Sequence, residues 1–472
     1  MSGITRTLAA FAAQLDCATL PREVVERARL LILDQFGIAI RARNEAEPAA
    51  PAAAALARLG LTGGAASVIG DPAGYTPQGA AFMNGMLGHS LDFDDTHAPG
   101  SIHPSAPIVP AALAAAEMVG ASGRDVIAAV VAGYEVQIRL SLALGPSDHY
   151  RRGYHPTATC GAFGAAAAAG RVLGLDVDQM VSAFGMCASQ AAGSMQFLVD
   201  GSWNKPFHVG HAAMNGVTAA TFAREGFFGC LEAIEGKAGF LNAYAPSPDP
   251  AKAVAGLGKV WETMAIAVKP YPSCRYGHAA MDALIALRAE HGFTDADVES
   301  VEIGLPQTGW NIIGNPESEK QSPENYVDGQ FSMPFVAAVA LRDGGMVWDS
   351  YAKHLRDPRT MALARRIRTV VDPKAEAEFP AHMAGVARVT LRDGTTHEGM
   401  VVAAKGEPEN FLTAAEFRAK FDGLATPFLG SAGCDALARA LSRLDTETDI
   451  AAVMALSRPT AAPLRAAVGG DD

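Results

Sequence analysis

The segment from Met86 to Ser105 constrains the fold most, because it mixes charged and apolar side chains within a few residues. Burying a carboxylate is costly unless a partner satisfies it, so the fold must bring partners to this segment. Clusters of this kind usually serve binding or chemistry. The segment contains aspartates, histidines and the apolar residues between them: Asp92, Asp94, Asp95, His89, His97, His103, Leu91 and Phe93.

The spacing within this segment predicts a local helix. Asp92, Asp95 and Thr96 stand at positions i, i+3 and i+4, which lie on one face of a helix. The proline and glycine residues that follow break any helix, so His103 is expected on a loop near the helix end. The alternative is a helix C-terminus with a polar cap and a loop.

Length and charge bound the class of protein. The chain has 472 residues, of which 49% are hydrophobic and 19% are charged, so we expect a well-packed globular protein with two domains. Its net charge is −12 and no basic run occurs, which argues against a nucleic-acid partner. An anionic substrate would then need a local positive pocket, which draws attention to lysines in apolar surroundings.

Cysteine usage and the N-terminus bear on the compartment. The six cysteines include no CxxC pair, which argues against a zinc ribbon, a ferredoxin-type cluster and a disulfide scaffold. Reduced thiols in the cytoplasm are the simplest interpretation. Ile4, Leu8, Phe11 and Leu15 form a helical stripe, so a packed helix is expected there instead of a signal peptide. No uninterrupted apolar run reaches the length of a membrane span.

Two further motifs carry candidate site residues. His155 precedes a proline, which predicts an extended conformation at the start of the following alanine-rich helix. Lys205 also precedes a proline and is expected at a loop-to-helix boundary, although a solvated loop lysine is the alternative. His208 and His211 have the i, i+3 spacing of metal ligands, but no third ligand stands near them, so no metal site is predicted.

After about residue 265 the sequence pattern changes from helical periodicity to a mixture that includes strand signals. Val301, Ile303 and Leu305 alternate with other residues as in a strand, and Asp393–Gly394 separates two apolar segments as in a β-hairpin. We therefore predict a mainly α protein in which both ends of the chain form a large all-helical domain and an α+β domain is inserted. The predicted ranges are 1–265 and 404–457 for the helical domain, 266–403 for the insertion, and 458–472 for a disordered tail.

Several motifs in this order resemble the MmgE/PrpD family, and the resemblance spans most of the chain. It implies a homodimer, an inserted domain that serves as a lid, and no metal or organic cofactor. Members of that family include 2-methylcitrate dehydratase, cis-aconitate decarboxylase and iminodisuccinate epimerase. The motifs are His89-Ser-Leu-Asp92-Phe-Asp-Asp-Thr96, His103-Pro-Ser, Tyr154-His-Pro-Thr157, Phe163-Gly and the alanine run, Lys205-Pro-Phe-His208-Val-Gly, and Lys269-Pro-Tyr-Pro-Ser-Cys274.

The resemblance also implies a set of pocket residues. Family reactions share the movement of a proton at a carbon next to a carboxylate, which needs a positioned base and stabilised enolate charge. Histidines are the natural proton carriers, and lysines suit substrate carboxylates as point charges. The expected catalytic residues are Asp92, His103 and His155. The expected substrate-binding residues are Thr96, Lys205 and Lys269, with Arg275 and His278 assisting if their connector lies over the pocket.

These observations predict a cofactor-independent lyase acting on a small di- or tricarboxylic acid, with dehydration of the 2-methylcitrate type favoured. Epimerisation and cis-aconitate decarboxylation are alternatives within the family. Trp310 stands where the decarboxylase branch has a lid tyrosine, which counts against decarboxylation. Outside the family, the three aspartates suggest a magnesium-dependent prenyl-transfer enzyme, but a second acid-rich motif is missing. A non-catalytic scaffold is the remaining alternative.

Overall fold

The structure, a computed structural model, describes residues 3–459. The tail predicted to be disordered lies outside the described residues, except for residues 458 and 459. The protein is mainly α-helical, as predicted. It divides into two compact units: unit 1 comprises the residues up to Ile266 together with those from Ala414 onward, and unit 2 is Ala267–Thr413. The N-terminal and C-terminal stretches of the described chain therefore belong to the same unit.

The N-terminal stretch of unit 1 is a set of packed helices with one small hairpin. Its strands are Thr62–Ser67 (β1) and Gly74–Tyr75 (β2), which pair antiparallel. The helices are Ile4–Gln14 (α1), Arg22–Glu45 (α2), Ala49–Arg58 (α3), Pro77–His89 (α4), Ser105–Val119 (α5), Gly123–Leu144 (α6), Pro146–Arg151 (α7), Pro156–Leu173 (α8), Val177–Cys187 (α9), Asn204–Arg224 (α10) and Phe240–Tyr244 (α11).

Small residues let three of these helices approach closely. Helix α10 packs against both α4 and α8. A Cβ atom at Gly210 would lie 2.4 Å from the backbone oxygen of Phe82 on α4, and one at Gly216 would lie 2.4 Å from the Cβ of Ala165 on α8. Glycine at these two positions therefore permits the close packing. This packing brings the first turn of α10 near the ends of α4 and α8.

Helix α6 is a core helix. By length and composition it is apolar enough to cross a membrane, although Glu135 and Arg139 interrupt its sequence. However, 94% of its most apolar stretch is buried inside the protein. Glu135 bonds to Arg139 at 3.1 Å and accepts bonds from the backbone and hydroxyl of Thr263, so its buried charge is satisfied.

Unit 2 is an α+β structure built on a four-stranded sheet. The strand order is β4-β3-β5-β6, with β3 and β4 parallel and the other two pairs antiparallel. The strand and hairpin predicted from the sequence are confirmed. The elements are His278–His291 (α12), Val298–Leu305 (β3), Gln307–Gly309 (α13), Glu317–Lys320 (α14), Tyr326–Gln330 (α15), Met333–Asp343 (α16), Ser350–His354 (α17), Pro358–Ala364 (α18), Ile367–Val371 (β4), Pro373–Glu378 (α19), Gly385–Leu391 (β5) and Thr396–Val401 (β6).

The C-terminal stretch returns to unit 1 as Ala414–Ser442 (α20) and Ile450–Ala455 (α21). Helix α20 packs along α2 and is kinked at Gly430, which has a positive φ of 66°. Leu437 and Leu441 of α20 are buried, and so is Leu444 just beyond its C-terminal end. Helix α20 is therefore held against α2.

Candidate active site

The acidic loop, residues 90–104, connects α4 to α5. It is not helical, so the predicted helix face shared by Asp92, Asp95 and Thr96 is wrong. Helix α4 ends at His89, and Asp92 adopts the left-handed conformation with φ of 50°. That conformation is uncommon for a residue other than glycine, and such strain concentrates at functional sites. In this non-helical loop, the carboxylates of Asp92, Asp94 and Asp95 contact different partners.

Asp92 forms an ion pair with Lys205, and their closest atoms are 2.6 Å apart. Lys205 is the second residue of α10, which confirms the predicted loop-to-helix boundary. Burial favours the neutral amine, but the carboxylates of Asp92 and Asp94 outweigh it and raise the pKa of Lys205. The side chain is therefore a cation that is about one quarter exposed, at 27%. It is able to meet a substrate anion.

Four histidines from separate segments lie together in unit 1, and we call them the histidine cluster: His89, His103, His155 and His208. The ring of His89 is 4.7 Å from that of His103 and 5.7 Å from that of His155, between centroids. His155 and His208 are 4.9 Å apart in the same measure. As predicted, His155 stands in extended conformation just before Pro156, the first residue of α8.

Asp94 lies beneath two members of the histidine cluster. Its Oδ2 atom is 2.6 Å from Nδ1 of His89 and 3.2 Å from Nδ1 of His103. The second contact is an ion-pair contact at a poorer angle than a hydrogen bond. Burial opposes ionisation of Asp94, but the two histidines together outweigh it and hold its pKa well below the usual range. Asp94 is therefore an ionised carboxylate that only accepts hydrogen bonds.

Three of the histidines are neutral in this site. Burial, with the charge of Lys205 as a lesser cause, lowers the pKa of His89 to about 4 and that of His208 to about 3. The pKa of His155 falls well below its usual value, again mainly through burial. A neutral imidazole offers one donor and one acceptor nitrogen, which is the state in which a histidine takes a proton.

Asp95 has Ser105, and not a histidine, as its hydrogen-bond partner. Its carboxylate accepts bonds from the backbone and hydroxyl of Ser105 at 3.1 and 2.5 Å, and the same hydroxyl lies 2.5 Å from Tyr134. Burial and the nearby charges of Asp94 and Asp34 raise the pKa of Asp95 to about 8 against the bonds from Ser105. At neutral pH this carboxyl group holds a proton.

Asp95→Asn is expected to flatten the pH dependence of stability between about pH 4 and pH 8. The folded protein holds a proton on Asp95 in this window and the unfolded chain does not, since an unfolded aspartate titrates near 3.9. Wild-type stability therefore falls as pH rises, by up to about 1.4 kcal/mol per pH unit from this group. Urea midpoints measured at pH 5 and pH 7 should converge in the variant. Parallel wild-type and variant profiles would contradict the assignment, and the exposed Asp178→Asn should change nothing.

The C-terminal helix α20 holds the acidic loop through Lys420. Its Nζ lies 2.7 Å from a carboxylate oxygen of Asp34 and 3.0 Å from the backbone oxygen of Phe93. It also lies 3.9 Å from the centroid of the Phe93 ring. Both partners of the ion pair are buried, with side chains 5% and 4% exposed. A buried lysine thus links α2, α20 and the acidic loop.

Lys420→Met is expected to lower the free energy of unfolding by about 3–5 kcal/mol, because it leaves the carboxylate of Asp34 buried without its cation. Urea denaturation followed by circular dichroism measures this loss. The double variant Lys420→Met, Asp34→Asn should lose less, because no unpaired charge remains. Lys374→Met, which breaks an exposed pair with Glu398, is the control and should cost less than about 1 kcal/mol. Equal losses in the single and double variants would refute the role of the charge.

Thr96 and Tyr150 complete the described surroundings of the site. Thr96 is buried in the acidic loop. Tyr150, at the end of α7, bonds to the backbone oxygen of Ser101, and its pKa is raised to about 12 by burial against the opposing charge of Lys205. The hydroxyl of Thr157 on α8 accepts a hydrogen bond from the backbone N–H of His103 at 3.2 Å. This bond holds the backbone of His103 next to α8.

The other predicted substrate-binding residues belong to unit 2. Lys269 is buried, with 4% of its surface exposed. Arg275 is paired with both carboxylate oxygens of Glu407, and Nε2 of His278 lies 3.1 Å from the backbone oxygen of Ser273. Trp310 is half-buried and donates its indole N–H to the backbone of Thr369 at 3.2 Å. Participation of Lys269, Arg275 and His278 in a common pocket with the histidine cluster stays a prediction.

A metal ion would find few ligands here. Among residues 3–459, His89, Asp94 and His103 are the group whose ligand atoms all lie within 4.8 Å of one another. The 2.6 Å between His89 and Asp94 is a hydrogen-bond distance. Two ligands of a tetrahedral zinc ion would stand about 3.3 Å apart at the usual bond lengths. His208 and His211, the pair with metal-ligand spacing in the sequence, do not belong to this group.

Sequence reasoning missed several residues of the site as functional: His89, Asp94, His208, Tyr150, Asp34 and Lys420. The sequence places His89 and Asp94 in the acid-rich segment but does not distinguish them from the neighbouring histidines and aspartates. His208 was weighed only as a metal ligand. Lys420 and Asp34 are separated by 386 residues, and no local pattern connects them. The alternation of acids with Leu91 and Phe93 was the available signal, since it indicated burial and hence partners.

The fold and site together define a mainly helical protein with a buried histidine–aspartate cluster beside a cationic lysine. The MmgE/PrpD N-terminal domain family matches residues 6–253, and the MmgE/PrpD C-terminal domain family matches residues 271–446. The chain therefore belongs to the MmgE/PrpD family, as the sequence motifs indicated.

Curated relatives are similar over nearly their whole length. The cis-aconitate decarboxylase-like protein oryM of Aspergillus oryzae is 29% identical over 480 residues, covering 96% of this chain and 97% of that protein. The cis-aconitate decarboxylase of Aspergillus terreus is 29% identical, covering 84% of each chain. The cis-aconitate decarboxylase of Homo sapiens is 26% identical, covering 98% of this chain and 96% of the human protein. Decarboxylases of this kind are enzymes of the lyase class.

Proposed function

We propose that the protein is a cofactor-independent lyase that decarboxylates a small unsaturated tricarboxylic acid such as cis-aconitate. One observation carries the proposal: cationic Lys205 lies close enough to lower the pKa of His89, His155 and His208, so an anion site and proton carriers coincide. The relatives named above are decarboxylases, which favours this reaction over the dehydration predicted from the sequence.

The chemistry needs a proton and a place for negative charge. In cis-aconitate, the bond from the methylene carbon to its carboxylate breaks and carbon dioxide leaves. The electron pair forms a new double bond, and the old double bond shifts its pair to the carbon next to another carboxylate. One proton added at that carbon completes a methylene-bearing dicarboxylate. The enolate charge formed on the way is what a fixed ammonium group stabilises.

Residues of unit 1 suit these tasks. Lys205 holds a substrate carboxylate and opposes the enolate charge, while Asp92 keeps the ammonium group in place. His103, the histidine of the cluster that contacts Asp94 and is 15% exposed, delivers the proton. His155 supports the same face as a second proton carrier, and Thr96 bonds a substrate carboxylate. The family resemblance implies that Lys269 binds a further substrate carboxylate and that the protein acts as a homodimer.

Dehydration of a 2-methylcitrate-type acid is the second candidate, because the resemblance implies a lid tyrosine in the decarboxylase branch and the nearest counterpart here is Trp310. The same residues would then take the proton from carbon and return one to the leaving hydroxyl. Epimerisation would need reprotonation of the same carbon from its other face. The three reactions use one kind of proton step, so the substrate decides among them.

The deciding experiment offers the purified protein cis-aconitate, 2-methylcitrate, citrate and iminodisuccinate separately in deuterated water, with proton NMR as readout. Decarboxylation of cis-aconitate should give two vinylic protons of a new methylene group, one deuterium on the saturated carbon, and carbon dioxide. An alkene formed without carbon dioxide would show dehydration instead. Deuterium uptake without net conversion would show epimerisation. No turnover of any of the four acids would refute the proposal, and loss of activity in chelator would favour the magnesium alternative.

A further inference from the structure

One buried group in unit 1 has no role in the proton step described so far. Asp94 is 1% exposed and touches two imidazole rings through a single oxygen, Oδ2. Its other oxygen, Oδ1, is buried without a hydrogen-bond partner among the described residues. An uncompensated carboxylate at this depth is costly, so its contacts with the histidines hold the charge in place.

The position of the protons follows from the charge of Asp94. An ionised carboxylate only accepts, so a nitrogen that bonds to it must carry a hydrogen. Both contacts involve Nδ1, one of His89 and one of His103. In a neutral imidazole the second nitrogen, Nε2, is then the free acceptor. The hydrogen bond fixes this tautomer in His89, and the charge of Oδ2, 3.2 Å from Nδ1 of His103, favours the same tautomer in that ring.

The two histidines differ in access. The His89 side chain is fully buried, and its Nε2 has no hydrogen-bond partner among the described residues. The His103 side chain is 15% exposed, but its Nδ1 is buried, so the exposed part lies elsewhere on the side chain. His103 is therefore the ring that a substrate reaches, and His89 is the ring that braces the carboxylate from below.

We propose that Asp94 is a positioning residue that holds His103 in the Nδ1–H tautomer, so that Nε2 is the atom that takes up a proton from solvent and delivers it to the substrate. His89 donates to the same carboxylate and keeps it aimed at His103. The same logic orients the histidine of a catalytic triad through an aspartate that never leaves its place. The role in turnover rests on the proposed function, whereas the tautomer is a property of the protein alone.

Other charged groups act on Asp94, and they are present in both the wild type and the Asp94 variant. Lys205 acts on Asp94 from α10, Asp95 follows it on the acidic loop, and the Asp34–Lys420 pair lies on α2 and α20. None of these residues is replaced when Asp94 is changed to asparagine, which keeps the shape of the side chain and removes its charge.

The test compares wild type with Asp94→Asn by nitrogen NMR of protein labelled at histidine, with His103→Gln to assign the His103 signals. Wild type should show His103 protonated at Nδ1, and the variant should shift toward protonation at Nε2. The kcat should fall about 10–100-fold, the usual loss when the partner that orients a histidine is removed, while KM changes little because Lys205 remains. The matched control is Asp343→Asn, which removes the carboxylate 2.8 Å from buried His354 in unit 2. It should change the His354 signals and leave kcat unchanged.

Separate outcomes overturn the proposal and the proposed function. Wild-type His103 protonated at Nε2, or an unchanged His103 tautomer in Asp94→Asn, overturns the positioning role whatever the activity. One bound metal ion per chain that is lost in Asp94→Asn overturns it in favour of a metal site. If Asp94→Asn does not fold, the wild-type tautomer alone decides. If the tautomer is as expected and no polyacid is turned over, the proposed function fails and the positioning of His103 stands.

Discussion

Lys205→Met is expected to lower kcat/KM by about 10²–10³-fold, the usual loss when one group that stabilises transition-state charge is removed. Methionine keeps most of the length of the side chain and removes the ammonium group. The substrate carboxylate then loses its counter-charge, and the carboxylate of Asp92, 2.6 Å away in the wild type, is left to repel it. Both binding and the enolate-like transition state suffer, so KM should rise as kcat falls.

Steady-state rates with cis-aconitate, followed by NMR, measure this loss. Lys374→Met is the matched control, since it removes a lysine that pairs with a carboxylate on the exposed surface of unit 2. The double variant Lys205→Met, Asp92→Asn should recover part of the KM effect, because the repelling charge is gone, while kcat stays low. A kcat/KM within threefold of wild type in Lys205→Met would remove the anion site from the proposal.

His103→Gln is expected to lower kcat by about 10²–10⁴-fold, the range in which a positioned acid or base contributes. Glutamine preserves the backbone bond to Thr157 and a polar tip, but it carries no titrating proton. Deuterium incorporation from solvent should fall in parallel with product formation, since both need the same proton carrier.

The control for His103→Gln is His291→Gln, which changes an exposed histidine stacked on His397 in unit 2. His155→Gln provides the contrast within the site. If it abolished deuterium incorporation while His103→Gln left it intact, His155 would be the proton carrier and the role of His103 would be refuted. The reverse result supports the assignment made here.

Local features of the site were predictable because their causes are local. A proline restricts the residue before it, and this places His155 in extended conformation at the start of α8. Lys205 lies in the first turn of α10 for a similar reason, since proline is tolerated there. The hairpin around Asp393 and Gly394 follows from a turn pair between two apolar segments. None of these predictions needed contacts from distant parts of the chain.

The prediction that Asp92, Asp95 and Thr96 share a helix face is wrong because α4 ends at His89. The i, i+3 and i+4 spacing places residues on one face only within a continuous helix. The positive φ at Asp92 ends any helix there; aspartate tolerates this conformation better than most residues, and the ion pair with Lys205 holds the side chain in place. In the sequence, Trp310 counts against decarboxylation, and its indole is bonded to strand β4 in unit 2. A local substitution of this kind is weak evidence against relatives that match over most of the chain.

The sequence by itself determined that the chain is mainly helical, where α8 and α10 begin, and that an acid-rich segment would be buried among partners. Periodicity, proline and the cost of burying charge are written in neighbouring residues. Tertiary structure alone decided that Asp92 meets Lys205, Asp94 meets His89 and His103, and Asp95 meets Ser105. The three side chains are chemically identical and nearly adjacent, so only the path of the backbone and the approach of α4, α5 and α10 distinguish an anchor, an acceptor and a protonated acid.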